Sequence, residues 1–239
     1  MKYALLTGAS GGIGNAVAET LAERGYGLYL HYHRNQRNID ALMERLKRFD
    51  LPVRAIQADF SEKEAVHRVL ADIHHDIDTI IHNSGTTFYG LVTDMKDEKV
   101  YEMVQSQITT PFLLTKYLLP SMIRRKSGNI LVISSIWGIV GASCEVLYST
   151  VKGGLNTFVK ALAKEVAPSG IRVNGIAPGA VLTNMISSFN EEELKALEEE
   201  IPMGRFGKPS EIADLVDFLL SERSAYINGQ IISINGAWH

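Results

Sequence analysis

Cysteine is almost missing from this chain. Of 239 residues only Cys144 carries a thiol, which excludes an internal disulfide and a cysteine-rich zinc site and suits a reducing compartment. A cationic excess is also missing: 24 Lys and Arg stand against 27 Asp and Glu, a formal net charge of −3. With no surplus positive charge to neutralise phosphates, nucleic acid is not an expected partner. Long apolar runs are absent as well. No window approaches the roughly 20 residues that a membrane span needs, and the apolar part of the opening "MKYALLTG" is too short for a secretory leader. A soluble, cytoplasmic protein is expected, with no membrane partner.

What is present is an alternation. Short apolar runs, "YALLT", "GLYLHY", "VRAIQA", "IDTIIH", "NILVIS", "IRVNGIA" and "QIISI", are separated by segments of helical period at about 13–24, 37–49, 62–74, 98–126, 148–167 and 210–221. Strands without polar alternation are those covered on both faces. Alternating strands and helices predict an α/β single-domain Rossmann fold, a doubly wound seven-stranded parallel sheet with helices on both faces. No linker, repeat or low-complexity tract divides it, so one domain over 1–239 is expected. The longest irregular part, about 178–208, contains "NEEELKALEEE", a short helix suited to cover a site at the strand ends as a lid over about 180–208.

The first strand runs into "LLTGASGGIGNAVAETLAERG", where Gly8, Gly12 and Gly14 form a G-x-x-x-G-x-G turn opening a helix. Such a turn permits close backbone approach to a pyrophosphate and aims a helix N-terminus at it. Glycines alone also occur in plain turns, but the strand-turn-helix context is the one dinucleotide binding requires. After the second strand stands "LHYHRNQRN". An NAD site wants an acidic residue there; Arg34 and Arg37 instead suit the 2′-phosphate of NADP(H), with Arg34 the favoured contact. The bland alternative is a pair of solvated arginines at a helix start.

Near the middle, "VLYSTVKGG" places Tyr148 four residues before Lys152. Such a pair is either an ordinary surface contact of adjacent turns or an acid with its tuner, because a nearby ammonium stabilises a phenolate. With the glycines, "HNSG" (82–85), Ser135, Tyr148, Lys152 and "PGAVLTNM" (178–185) together, the chain resembles the short-chain dehydrogenase/reductase family along its whole length. Within the family it is similar to the 3-oxoacyl-acyl-carrier-protein reductases. The segments "SSIWGIVGASCEVLYS" and "GQIISINGAWH" look more like the branch that reduces a 5-aminopentanone-modified lysine on elongation factor P.

The resemblance implies NADPH-dependent reduction of a ketone to a secondary alcohol. It puts the proton donor on Tyr148, its lysine partner on Lys152 and the carbonyl-orienting serine on Ser135. The family's catalytic asparagine is replaced by Gln107, one methylene longer. It also implies cofactor contacts at Gly8, Ser10, Gly12, Ile13 and Gly14 in the turn, Arg34, Asp59 at the adenine, Asn83 and Gly85, Tyr148 and Lys152, and Pro178, Gly179, Val181 and Thr183 at the nicotinamide. Ser84 stands where alanine is usual. No metal is expected. A homotetramer built on the helices at about 98–126 and 148–167 is the family's usual assembly.

Two features bear on the substrate, an acyl carrier protein cargo or an elongation factor P lysine. "IRRKSG" offers Arg124, Arg125 and Lys126 as a basic surface for an acidic carrier, whereas Glu191, Glu192, Glu193, Glu198, Glu199 and Glu200 against Lys195 would repel one and attract an amine. A solvated helix face is the plainer account of those glutamates. A rival from another class is a non-catalytic NADP-binding regulator, which has no need of an intact Ser135, Tyr148 and Lys152. His74 and His75 read as a solvated helix end, Cys144 as a pocket neighbour without a thiolate-stabilising motif, and Trp137 as pocket wall or core.

Overall fold

In the computed structural model of the protein, residues 1–183 and 190–239 are described. Seven strands form one parallel sheet: β1 (Tyr3–Leu6), β2 (Gly27–Tyr32), β3 (Val53–Gln57), β4 (Thr79–His82), β5 (Gly128–Ile133), β6 (Ile171–Pro178) and β7 (Ile231–Ile234). Their order is β3-β2-β1-β4-β5-β6-β7, a doubly wound parallel sheet of the kind the alternating sequence predicts. The helices are α1 (Gly12–Glu23), α2 (Gln36–Leu46), α3 (Ala65–Asp72), α4 (Asp97–Val104), α5 (Thr110–Arg125), the short α6 (Trp137–Val140), α7 (Val146–Val166), α8 (Glu191–Glu200) and α9 (Pro209–Leu220).

The strands divide their side chains by twos between two cores. Ala4, Leu6, Leu28, Leu30, Ile81, Leu131 and Ile133 point to the face covered by α1, α2 and α9, where Val17, Leu21, Ile39, Leu42, Ile212 and Val216 meet them. Their neighbours Leu5, Tyr29, Ile80, Ile130 and Val132 point to the other face, against Val66 and Val69 of α3, Leu114 and Met122 of α5, and Leu155 and Val159 of α7. Because each strand is buried on both faces, neither side needs polar residues, which explains the unbroken apolar runs.

The order of strands reverses at the β1–β4 border. In parallel sheets this is where a crevice opens beyond the carboxyl ends of the strands. Leu6 lies level with Leu30 of β2 and with Ile81 of β4. The segments that follow these three residues therefore emerge side by side: the Gly-rich turn, residues 31–34, and "HNSG".

Two sequence expectations change. The segment 98–126 is not one regular helix. A π-helical turn, Gln105–Thr109, separates α4 from α5. And α3 ends at Asp72, so His74 and His75 lie beyond it. The His75 ring stacks on Tyr3, centroids 4.0 Å apart at 9°, and its Nδ1 lies 2.7 Å from the Tyr29 hydroxyl; that histidine is a packing partner rather than a merely solvated one.

Candidate active site

The turn after β1 is shaped by contacts that a side chain would block. Gly8 adopts φ +67, the left-handed region that favours glycine. A Cβ on Gly14 would fall 2.2 Å from the Gly8 carbonyl oxygen, so α1 begins directly against the turn. Asn83, just after β4, donates from Nδ2 to the carbonyls of Thr7 and Gly8, each at 3.0 Å. Its own N–H donates to Thr7 Oγ1 at 2.9 Å. The first-turn amides of α1 have no intrahelical acceptors and present a positive end to the crevice. A Cβ on Gly12 would lie 3.0 Å from Thr183 Cγ2, so the loop after β6 lies over the turn and forms the far wall of a groove. The Pro178 carbonyl accepts from Ile136 N–H at 3.0 Å, and Gly179 N–H donates to Ile234 at 3.0 Å. Val181 is buried and pairs with Gly207.

A dinucleotide fits this cradle on the glycine geometry and the free helix end. Gly8, Ser10, Gly12, Ile13 and Gly14 line the turn. Beyond β2, Arg34 and Arg37 are exposed, and among the described residues neither lies within 4 Å of a carboxylate oxygen. Asp59 is engaged from several sides. Its Oδ1 accepts from Ser61 N–H at 2.9 Å and from Ser61 Oγ–H at 2.7 Å, and His33 Nε2 lies 3.1 Å from its Oδ2. Partial burial works against its charge, but the Ser61 donors, His33 and Arg34 prevail and hold the carboxyl below its ordinary value.

Beyond β5 the chain brings the other predicted residues to one place. Ser134 N–H donates to Ile176 of β6, fixing the exit of β5, and Ser135 follows, buried, with its Oγ accepting from Trp137 N–H at 3.2 Å. Helix α7 starts at Val146, so Tyr148 and Lys152 sit one turn apart on its buried face. α6 packs against that turn without a side chain between them: a Cβ on Gly138 would lie 2.7 Å from the Lys152 carbonyl carbon. Asn156 Nδ2 donates to the Gly138 carbonyl at 2.9 Å and locks the contact. Sequence reasoning missed Gly138 and Asn156; their only signal was a glycine three residues after Ser135 and an amide one turn after Lys152.

Lys152 Nζ donates to the Ile133 carbonyl at 3.1 Å. It lies 5.5 Å from the centre of the Tyr148 ring. Gly85 marks where three segments meet, since a Cβ there would stand 3.1 Å from Gln107 Oε1 and 3.2 Å from Lys152 Nζ. Gln107 is carried by the π-helical turn, buried, with Nε2 donating to the Thr86 carbonyl at 2.7 Å. Its Oε1 is a buried acceptor without a protein partner. Such an atom facing an ammonium across a glycine suits a bridging water.

The electrostatics are those of a dry site. Burial pushes the Tyr148 phenol up to about 12, with its hydrogen bond to Ser135 opposing and the Glu145 carboxylate adding to the rise. Burial also pushes the Lys152 ammonium down to about 8. The sequence led us to expect Lys152 to draw the phenol down; in the fold burial raises it, and the opposing influence is the hydrogen bond to Ser135 rather than the Lys152 ammonium. A phenol held protonated is nonetheless a competent donor to an alkoxide, a much stronger base.

Arg124, Arg125 and Lys126 fall elsewhere. They end α5, and Arg125 reaches Asp76, Asp78 and the Ile77 carbonyl at the entry to β4. The length of β5 separates them from Ser135, so within the chain they are not the basic rim of this site. Trp137 lies at the edge of the cluster containing Tyr148 and Val151 and meets Trp238 edge-on at 5.1 Å, so it is wall rather than core. Of the expected lid, residues 184–189, with part of the "PGAVLTNM" loop, lie outside the described residues.

The comparisons agree with this geometry. The family described as enoyl-(acyl carrier protein) reductase matches residues 8–239, and the chain belongs to the short-chain dehydrogenase/reductase family. It is therefore an oxidoreductase acting on the alcohol/ketone couple. It is 53% identical over 239 residues, covering 100% of this chain and 99% of the relative, to "Uncharacterized oxidoreductase YmfI" of Bacillus subtilis (strain 168). It is 35% identical to the 3-oxoacyl-[acyl-carrier-protein] reductase FabG of Aquifex aeolicus, covering 98% and 96% of the two chains. A crystal structure of the 3-oxoacyl-[acyl-carrier protein] reductase of Brucella melitensis superimposes with TM-score 0.91 at 28% identity, covering 98% of this chain and 90% of that one.

Proposed function

We propose that the protein reduces a ketone to a secondary alcohol with NADPH, using Ser135, Tyr148 and Lys152. The carrying observation is that Tyr148 hydrogen-bonds Ser135 and lies beside Lys152, which meets Gln107 at Gly85, at the carboxyl edge of the sheet. When bound, a reduced nicotinamide supplies hydride to the carbonyl carbon. Gly8, Ser10, Gly12, Ile13, Gly14, Asn83 and Gly85 would hold the cofactor's phosphates and ribose, and Pro178, Gly179, Val181 and Thr183 its nicotinamide end. Asp59 would meet the adenine. Arg34 supports the 2′-phosphate form, because it is exposed and no acidic residue ends β2. The Ser135 hydroxyl orients the carbonyl oxygen, and the Tyr148 O–H gives its proton to that oxygen as the alkoxide forms. Lys152 keeps positive charge beside the resulting phenolate, and Gln107 Oε1 holds the water through which a proton returns.

The relatives' names support a 3-oxoacyl thioester on an acyl carrier protein as substrate. A second reading, an aminoketone on a lysine of elongation factor P, is favoured by the distribution of charge. The basic residues 124–126 lie at the far edge, whereas α8 carries six glutamates against Lys195. The segment just after α8 is tied to the carboxyl edge of the sheet, where Met203 N–H donates to the Gly236 carbonyl at 3.2 Å, just past β7. We place the enzyme in the cytoplasm as a homotetramer of one 1–239 domain with a lid over 180–208. Exposed Tyr101, Phe112 and Tyr117 on α4 and α5 support assembly there.

The test is NADPH consumption on both substrates, with Tyr148→Phe as control. Loss of at least a hundredfold in the variant is expected on the preferred substrate. Turnover undiminished in Tyr148→Phe overturns the acid assignment, and NADPH binding with no turnover on either substrate favours a cofactor-binding regulator.

A further inference from the structure

His31 lies near the end of β2 on the face opposite Leu30 and Tyr32, with Nδ1 and its main-chain carbonyl toward the Gly-rich turn and Nε2 toward the segment after β3. Its ring is buried and stacked on Phe60, centroids 3.7 Å apart at 4°. Nδ1 lies 3.2 Å from the Gly8 N–H, which can only donate, so Nδ1 accepts. Nε2 lies 3.0 Å from the Ala58 carbonyl, which can only accept, so Nε2 carries the proton. One neutral tautomer satisfies both partners. Burial agrees, pushing the imidazole down to about 4. The Ser84 hydroxyl lies 3.3 Å from the same Nδ1 and adds a second donor from the β4 side. The His31 main-chain carbonyl accepts from Ala9 N–H at 2.8 Å. Two consecutive amides of the turn are thus held by one residue, the first through its ring and the second through its backbone.

We infer that His31 is a positioning residue for the cofactor turn: by accepting the Gly8 N–H it holds Gly8 in its left-handed conformation, so the turn is already shaped to receive a pyrophosphate. The inference rests on reading that turn as the NADPH site. With its amide bonded to His31, Gly8 directs its carbonyl to Gly11 N–H and to Asn83, leaving the amides at the start of α1 directed at the groove. An aliphatic side chain at position 31 would leave a partly buried N–H without an acceptor and release the turn to other conformations. Binding would then carry the added cost of ordering it.

The experiment is His31→Phe, which keeps the stack on Phe60 and removes both ring nitrogens, with His31→Asn as the conservative variant that restores an acceptor near Nδ1. Two readouts are taken without turnover: the NADPH dissociation constant by calorimetry, and amide hydrogen exchange at Gly8 and Ala9 in cofactor-free protein. Expected for His31→Phe are a roughly tenfold weaker dissociation constant, the loss of about one hydrogen bond's worth of organisation, and faster exchange at Gly8. Ala9 exchange should stay as it was, because its acceptor is a main-chain carbonyl; His31→Asn should recover part of both losses. Unchanged binding and unchanged Gly8 exchange in His31→Phe overturn the inference, as does equal acceleration at Gly8 and Ala9, which would mark general loosening. Should His31→Phe not fold, nitrogen chemical shifts of the His31 ring in the unaltered protein decide: a proton on Nδ1 refutes the assignment, a proton on Nε2 supports it. Failure of the unaltered protein to bind NADPH would instead strike at the cofactor reading.

Discussion

Gly14→Ala tests whether the close approach of α1 to the turn is a true constraint. On helix propensity alone the change should stabilise, because alanine in a helix interior is about 1 kcal/mol better than glycine. The structure says the opposite. The new methyl would stand 2.2 Å from the Gly8 oxygen, 2.8 Å from Ala9 Cα and 3.0 Å from Asn83 Nδ2. Two of those atoms are backbone, so no side chain can swing away. Relief must move the Gly8 carbonyl, which accepts from Gly11 N–H at 3.2 Å and from Asn83 Nδ2 at 3.0 Å. Overpacking costs about 1–3 kcal/mol and the two weakened hydrogen bonds about 1 kcal/mol each, so a net loss of about 2–4 kcal/mol is expected. For a chain of this size that is roughly 5–15 °C in Tm. Gly153→Ala in α7 is the internal control. Its methyl would meet only the Gly138 oxygen, at 3.5 Å, an ordinary contact, so propensity should win and stability rise by about 0.4–1 kcal/mol. Both variants are compared by urea unfolding and calorimetry, with NADPH titration alongside. A Gly14→Ala protein as stable as its parent would refute the reasoning, and so would two variants that shift together.

Three further outcomes follow from buried groups. The alkaline limb of kcat for reduction should fall near pH 8, where Lys152 loses its proton, while Tyr148 stays protonated well beyond it; a limb near 10 would mean that burial does not govern the lysine. His31 and His82 are pushed by burial to about 4 and about 3 from an ordinary 6.5. The unfolded chain therefore takes up their protons first as pH falls, and the folded state loses stability below about 6.5 down to about 4 and 3, at about 1.4 kcal/mol per pH unit for each. Urea unfolding between pH 7 and 4.5 should show a shallower slope in His82→Gln, and an unchanged slope would sink the assignment. Gln107→Ala should lower kcat at least tenfold, about 1.4 kcal/mol, while NADPH affinity stays within about twofold. A loss confined to NADPH affinity would move Gln107 from the relay to the cofactor contacts.

The parts of this architecture that sequence alone made legible are those with a local period. An unbroken apolar run reports a strand covered on both faces, and the two-residue split between Leu5 and its neighbours Ala4 and Leu6 carries through to the two cores. Tyr148 and Lys152 are legible for the same reason, because four residues is one helical turn and their common burial follows from the amphipathic face of α7. Gln107 lies at the limit of that logic. Its residue type could be read, but the π-helical turn that presents it cannot, since one extra residue in a turn leaves the apolar pattern of 98–126 nearly intact. The placement of Arg124, Arg125 and Lys126 is opaque for a related reason. A charge run reports exposure, and only the direction of α5 along the sheet decides which edge it decorates.

His31 was hidden more deeply than any of these. In the sequence it is one of several polar residues where β2 gives way to a loop, and its charge class points to a cationic cluster with Arg34 and Arg37. In the fold its ring is neutral, and its four partners, Gly8, Ala58, Phe60 and Ser84, come from three segments between 23 and 53 residues away. None of those separations has a period. What joins them is the reversal of strand order at β1 and β4, which brings the ends of β1, β2 and β4 level. A topology that opens a crevice for a dinucleotide also gathers residues distant in sequence around its turn. The residues that shape such a crevice are therefore the least visible in sequence, even where the glycines that line it are the most visible.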